Sequence, residues 1–144
     1  MLNSFDNYLR LGKVKRKTPD MEESEALLRK SIERLAYIKE REIRETTAKF
    51  LLEDAYESMR EATQSLMSAK GYKPYSHEAT ISFLKKFYFG LFGEERIIRF
   101  DVFREKRNAS VYNACHITTQ DARSAIILAK DIVGIVKSIQ KPGK

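Results

Sequence analysis

A long apolar stripe at helical spacing occupies residues 43–69 and stops at Gly71. Apolar residues that recur every three or four positions share one face of a helix, so the stripe predicts a long helix. Gly71 suits its end, because glycine adopts the left-handed conformation that terminates many helices. The charged residues 39–49 contain neither Gly nor Pro, so one continuous helix and two helices with a tight connection both fit them. The stripe comprises Ile43, Phe50, Leu51, Ala55, Met59, Ala62, Leu66 and Ala69.

Two helix starts before residue 80 carry capping signals. Thr18 followed by Pro19 predicts the N-cap and first position of helix one, which should run to about Tyr37. Its inner face should hold Leu28, Ile32, Leu35 and Ala36. Ser76 predicts the N-cap of helix three over about residues 77–88.

Glycines and a capping box delimit the last two helices. Gly90 and Gly93 predict a break before a fourth helix over about residues 94–110. Thr118 with Asp121 three residues later has the pattern of a capping box that opens helix five. Because no alternating strand pattern of useful length is present, the sequence predicts an all-α fold, a four- to five-helix up-and-down bundle. Helix five should bury Ala122, Ala125, Ile126, Ala129, Val133 and Val136.

The N-terminal segment 1–17 is basic and shows little periodicity. It carries five Lys or Arg residues against Asp6, within a chain of net charge +7. A solvated tail is the plainer interpretation, and contact with a phosphate-bearing partner is the alternative, because basic surfaces attract polyanions. A chain of 144 residues is expected to form one domain, here the bundle 18–140 followed by a frayed tail, 141–144.

Several classes of function are not expected. Cys115 is the only cysteine, so neither an intramolecular disulfide nor a cysteine-based zinc site can form within the chain. No apolar run approaches the roughly 20 residues of a membrane span, and no secretory leader is recognisable, so we expect a cytoplasmic protein without membrane contact. Metal-binding motifs, a glycine-rich phosphate loop and a nucleophile elbow are also missing. We therefore expect no metal and no cofactor.

An arginine on an apolar helix face is the main functional signal. Arg107 lies about 40° from Phe103 and about 20° from Phe100 around the helix axis. A guanidinium there is costly unless it pairs with a carboxylate, binds an anion or lines a groove between protein surfaces. The alternative is an arginine whose stem lies along the edge of the core. The face consists of Ile97, Phe100, Phe103, Arg107, Val111 and Ala114.

Polar neighbours on the same helix could complete a phosphate site around Arg107. Arg104 is one turn away and could bind the same phosphate. Asn108 could bond to a phosphate or a base edge, or it could simply end the helix. Tyr112 could stack on a base, or it could be a half-buried core residue.

The two histidines, His77 and His116, are candidates from other parts of the chain. His77 begins a helix and is either packed against the loop 72–75 or a polar ligand at the mouth of the Arg107 cleft. His116 precedes the last helix and would act as a base only if its loop folded back towards Arg107.

Three segments, in this order, make the chain resemble the HEPN domains, a superfamily of small helical bundles. They are the long helix 48–71, the helix start 74–78, and the stretch 103–112 followed by an alanine-rich last helix. The resemblance covers about residues 20–140. It implies a homodimer in which the arginine-bearing helix lines a cleft between protomers. Many HEPN proteins are metal-independent ribonucleases, often toxins paired with a small nucleotidyltransferase.

The resemblance assigns roles to particular residues. Arg107 matches the active-site arginine of the family, and Asn108 matches the polar residue after it. The histidine that follows in the family is not matched, since Tyr112 stands in its region and His116 lies farther along than the motif allows. Tyrosine, with an ordinary pKa of about 10, is a poor general base at neutral pH.

The resemblance therefore implies a noncatalytic dimeric module that acts beside a minimal nucleotidyltransferase. It would bind nucleotide or RNA through Arg104, Arg107, Asn108, Tyr112 and His77. The alternative is a metal-independent, toxin-like ribonuclease in which Arg107 and Asn108 hold the phosphate and His116 or His77 moves protons. In a third interpretation there is no ligand, and Arg107 pairs with Glu105 or Asp101 across a dimer seam.

Overall fold

Helices make up most of the chain, as the apolar periodicity predicts. The computed structural model describes residues 2–113 and 115–141. Of residues 142–144 in the expected tail, and of Ala114 on the Arg107 face, nothing is described. In chain order the elements are α1 (Phe5–Arg10), β1 (Val14–Arg16), α2 (Met21–Lys39), α3 (Ala48–Lys70), β2 (Tyr72–Pro74), α4 (His77–Phe87), α5 (Phe89–Asn113) and α6 (Thr119–Ile139).

The central helix α3 is the one that the long apolar stripe predicts. It packs mainly against α2 and α6 and buries one broad face that includes Leu52 and Met59. The charged residues 40–47 form a connection, so α2 and α3 are two helices. Phe50 was wrongly placed in the stripe, because it is 57% exposed. At 100° per residue Phe50 lies about 160° from Leu52, on the opposite side of the helix.

Capping bonds confirm some predicted helix starts and move one. Ser76 Oγ accepts from Ala79 N at 3.1 Å, and Thr118 forms both bonds of a capping box with Asp121. The prediction of Thr18 as the first N-cap is wrong, since helix α2 starts after Asp20. The Asp20 carboxylate accepts from the backbone N–H of Glu23 at 2.9 Å, which gives the helix a charged cap.

The inner faces of the first and last helices were predicted with different success. All the predicted positions of α6 are buried. In α2, Leu35 is buried and Leu28 and Ile32 are half-buried, whereas Ala36 is exposed and was wrongly placed inside.

The two glycines after α4 interrupt the helices less than predicted. Helix α4 ends at Phe87 and α5 begins at Phe89, so Gly90 is already helical. Gly93 has a φ of +76° and kinks α5 near its start. Beyond the kink, α5 continues to Asn113, past the predicted end at residue 110.

The N-terminal segment is part of the fold, so the interpretation of residues 2–17 as a solvated tail is wrong. Strand β1 pairs with β2 in an antiparallel two-stranded sheet that the sequence did not predict. Phe5 and Val14 are buried, and the Phe5 ring packs edge-on against Tyr72, Phe83 and Phe87. These apolar contacts hold the segment on the bundle despite its charge.

The all-α prediction is confirmed, because residues 2–113 and 115–141 form five bundle helices after residue 18 and the short α1 before it. In the described part of the chain, no helix is long and apolar enough to cross a membrane.

Candidate functional site

Helix α5 carries the apolar face that contains Arg107. Ile97, Phe100 and Phe103 are buried on this face, as predicted. One turn later Arg107 is only 20% exposed at its side chain, whereas Val111 is exposed. Arg107 therefore lies where the buried face of α5 ends and the surface begins.

The guanidinium of Arg107 has loose partners. Its Nη2 lies 3.6 Å from Glu57 Oε2, and its Nη1 donates to Asn108 Oδ1 at 3.1 Å. The group is also 5.9 Å from the centre of the Tyr56 ring. Its Nε is buried and has no hydrogen-bond partner among the described residues. Arg107 thus keeps hydrogen-bonding capacity that no residue in the described part of the chain uses.

Arg104 is more tightly held, one turn before Arg107. It is buried, and its Nε donates to Asp101 Oδ1 at 2.7 Å. Glu78 and Glu105 lie at 3.9 and 3.6 Å from its terminal nitrogens. Burial opposes the charge of Arg104, but the hydrogen bond and charge of Asp101 outweigh burial and raise its pKa. Within the chain, Asp101 and Glu105 therefore pair with Arg104 and not with Arg107.

His77 and Tyr56 bring α4 and α3 to the same place. The Tyr56 hydroxyl lies 3.1 Å from His77 Nδ1, and the two rings stack with centroids 5.7 Å apart. Burial and the charges of Arg60 and Arg107 lower the pKa of His77, so its imidazole is neutral at pH 7. Burial also raises the pKa of the Tyr56 hydroxyl, which keeps its proton. His77 thus packs against Tyr56 and faces the arginines.

Arg60 and Glu57 of α3 belong to the site and were missed by the sequence analysis. Arg60 Nη2 is 2.7 Å from Glu57 Oε1, while Arg107 approaches the other oxygen of Glu57. Burial would raise the pKa of Glu57, but the hydrogen bond from Arg60 and the charges of Arg60 and Arg107 outweigh it and lower the pKa. In the sequence, Glu57 and Arg60 look like an ordinary surface pair at i,i+3. We call Tyr56, Arg60, His77, Arg104 and Arg107 the arginine cluster.

Asn108 accepts from Arg107, but the other two predicted site residues, Tyr112 and His116, have no bond to the arginine cluster among the described residues. Tyr112 is 73% exposed and makes no hydrogen bond to the cluster among the described residues. His116 lines a separate cavity of about 540 Å³, together with Glu53 and Ser110. No hydrogen bond or ion pair within the described ranges joins His116 to Arg107. Among the described residues, His116 is therefore not joined to Arg107 as a catalytic role would require.

The donor set of the arginine cluster suits an anion. Guanidinium groups present fixed pairs of N–H donors that match phosphate and carboxylate oxygens. The described residues contain no group of three or more His, Cys, Asp or Glu side chains that could hold a metal ion.

Fold and cluster together define a small helical bundle with arginines at the edge of its core. Comparisons with protein-family models, with curated proteins and with solved structures found no match for the chain. The resemblance to HEPN domains thus depends on the sequence segments that carry it.

We expect His77 to make the protein less stable in mild acid, so the His77→Gln variant should lose less stability there than the wild type. The unfolded chain protonates His77 near its ordinary pKa of about 6.5, whereas the folded pKa is lower. The unfolded state therefore binds more protons below that pH, and the free energy of unfolding falls as the pH drops through about 6.5. Denaturant unfolding at about pH 7.5 and about pH 5.5 measures this. Wild type should lose more stability than His77→Gln between the two pH values, and equal losses would contradict the assignment.

Proposed function

We propose that this chain binds the phosphate groups of a nucleotide or of RNA at the arginine cluster. The observation that carries the proposal is the placement of Arg60, Arg104 and Arg107 around one edge of the core, with the Nε of Arg107 unpartnered among the described residues. Because this Nε is itself buried, a phosphate would bind the terminal Nη atoms of Arg107, whose polar partners among the described residues are Glu57 at 3.6 Å and Asn108 at 3.1 Å.

Glu57 sets the strength of the proposed binding. It is ionised and lies between Arg60 and Arg107, so an incoming phosphate competes with it for both guanidinium groups. Arg104 is already paired with Asp101 at 2.7 Å, so it contributes less than Arg107 to the binding. We therefore expect Arg107 to be the principal phosphate ligand and Glu57 to weaken the binding.

The HEPN resemblance supports RNA or a nucleotide as the ligand and adds two expected partners, a second copy of the chain and a small nucleotidyltransferase. Three exposed apolar side chains of α5, Phe89, Ile98 and Val102, line one groove and suit a seam between two copies. At 100° per residue, Ile98 and Val102 lie about 180° and about 140° from Arg107, so this seam would be on the other side of α5 from Arg107. Light scattering of the purified protein measures the mass, and a monomer at all concentrations would remove the dimer from the proposal.

Arg107→Ala should weaken the binding of a fluorescent single-stranded RNA about 10- to 100-fold, because a charge-assisted hydrogen bond to phosphate contributes roughly 1.5–3 kcal/mol. Glu57→Gln should tighten binding, since the variant loses the competing charge. Fluorescence anisotropy titrations measure both affinities. Lys130→Ala is the matched control, because Lys130 is an exposed cation on α6 and should change binding little. Unchanged binding by a folded Arg107→Ala variant would refute the proposal.

Metal-independent RNA cleavage is a second candidate function, favoured by the neutral His77 beside the arginines. Arg107 would stabilise charge on the phosphate, Asn108 would orient it, and His77 would transfer protons. Incubation of RNA with the protein in EDTA tests this. Cleavage that is lost in both Arg107→Ala and His77→Gln would support a nuclease, whereas cleavage that persists in His77→Gln at the wild-type rate would exclude the role of His77.

A further inference from the structure

The two-stranded sheet of β1 and β2 presents a charged outer face. Lys15 pairs directly with Lys73, and the ladder continues to Lys13, whose carbonyl accepts from the backbone N–H of Tyr75 at 2.8 Å. Val14, between the two lysines of this segment, points inward and is buried. Lys13, Lys15, Lys73 and Tyr75 therefore share the solvent face of the sheet, and we call them the sheet face.

The three lysines of the sheet face lack ion-pair partners among the described residues. This distinguishes them from their neighbour Lys17, whose Nζ lies 3.2 Å from Glu23. Like charges directly opposite each other in a sheet are destabilising, so the pairing of Lys15 with Lys73 works against the stability of a sheet of only two short strands. A role in stability therefore does not explain these residues, whereas attraction of a polyanion does.

An exposed aromatic ring lies between the lysines. Tyr75 is 55% exposed, with the Nζ of Lys15 at 5.3 Å and that of Lys73 at 5.6 Å from its ring centre. Surfaces that bind single-stranded nucleic acid combine cations for the backbone with aromatic rings for the bases. When the ammonium groups move to phosphates, the face of Tyr75 becomes free for a base.

The sheet face adjoins the arginine cluster along the chain. His77 follows Tyr75 after the single residue Ser76, which caps α4, so their Cα atoms are at most about 7 Å apart. We infer that the sheet face is a second binding surface, which binds the part of a single-stranded RNA that extends beyond the arginine cluster. The inference rests on the proposed function in one respect only, namely that a single RNA molecule binds to both surfaces.

Binding of RNAs of two lengths tests the inference. Lys15→Ala/Lys73→Ala should weaken binding of a single-stranded RNA of about 12 nucleotides roughly tenfold and leave binding of a dinucleotide unchanged. A plot of the logarithm of the association constant against the logarithm of the salt concentration has a negative slope, and its magnitude should decrease by about 1.4, at about 0.7 for each lost phosphate contact. Tyr75→Leu should also weaken binding of the longer RNA about tenfold or more, through lost stacking. Both variants should fold, since the first removes a repulsion and the second retains an apolar side chain.

Lys130→Ala/Lys137→Ala is the matched control, because both lysines are exposed on α6 and the change in net charge is the same. If the Lys15→Ala/Lys73→Ala variant binds the longer RNA as tightly as this control does, the inference is overturned. This holds even if Arg107→Ala still weakens binding, in which case the proposed function stands. If Lys15→Ala/Lys73→Ala and Tyr75→Leu weaken binding but Arg107→Ala does not, the proposed function fails and the sheet face is the only one of the two surfaces that binds RNA. Binding to phosphatidylserine vesicles without binding to RNA would overturn the inference in favour of a membrane surface.

Discussion

Replacing Arg34 by alanine should lower the free energy of unfolding by about 3 kcal/mol. Arg34 of α2 donates to both oxygens of Glu61 on α3, at 3.1 and 2.8 Å, and to Asp54 at 3.0 Å. Glu61 is only 2% exposed. Without Arg34, the nearest cation to this carboxylate among the described residues is Lys30, whose Nζ lies 3.8 Å away. A buried carboxylate that loses its main partner is strongly destabilising.

Guanidinium chloride unfolding followed by circular dichroism measures the loss. Arg29→Ala removes an exposed arginine from the same helix and should change stability by less than about 0.5 kcal/mol. The double variant Arg34→Met/Glu61→Leu should recover most of the loss, because an apolar pair of similar volume removes the stranded charge. If Arg34→Ala costs no more than Arg29→Ala, the ion pair does not stabilise the packing of α2 on α3.

Gly71→Ala should destabilise the protein by a similar amount, about 3 kcal/mol. Gly71 ends α3 with a φ of +90°, which costs an alanine roughly 1 kcal/mol. A Cβ atom at this position would also lie 2.6 Å from the carbonyl oxygen of Lys17, a backbone atom that cannot rotate away. Relief of the clash requires a shift of the chain beside β1, where Lys17 N donates to Gly71 O at 2.8 Å. Thermal and denaturant unfolding of the variant measure the combined effect.

Two other glycines separate the causes of this loss. Gly12 has a φ of +76°, but a Cβ atom there would have no neighbouring atom within 4 Å, so Gly12→Ala should cost only the backbone strain, about 1 kcal/mol. Gly134 lies in helix α6 with open space around it, and Gly134→Ala should stabilise the protein by about 0.5–1 kcal/mol. A loss for Gly71→Ala no larger than that for Gly12→Ala would mean that the contact with Lys17 is relieved without cost.

The parts of the fold that the sequence predicted depend on local bonds. The caps at Ser76 and Thr118 act on backbone groups three residues away, and Gly71 acts on the helix directly before it. The element that was missed depends on distant residues, since β1 is ordered by β2 and Phe5 by the rings of α4. A strand of three residues is too short to show alternation.

The same distinction applies to the candidate site. Spacing along α5 placed Arg107 near the middle of an apolar face, whereas in the structure it lies where the buried part of that face ends. Spacing could not show that Tyr56 of α3 would hold His77 against the arginines. It also could not show that Arg60 would share Glu57 with Arg107, or that His116 would face another cavity. Which helices meet is decided by packing, and one helix's periodicity does not record it.

The pairing of β1 with β2 also sets an order of events during synthesis. Residues 14–16 emerge from the ribosome first, but their partners, residues 72–74, follow almost sixty residues later. At typical elongation rates of about 5–20 residues per second, the basic segment waits roughly 3–12 s for its partner strand. Throughout that interval Phe5 and Val14 have no core to enter, and Lys15 has no Tyr75 beside it. The sheet face therefore forms only once α2 and α3 have been made and have closed the long connection between the two strands.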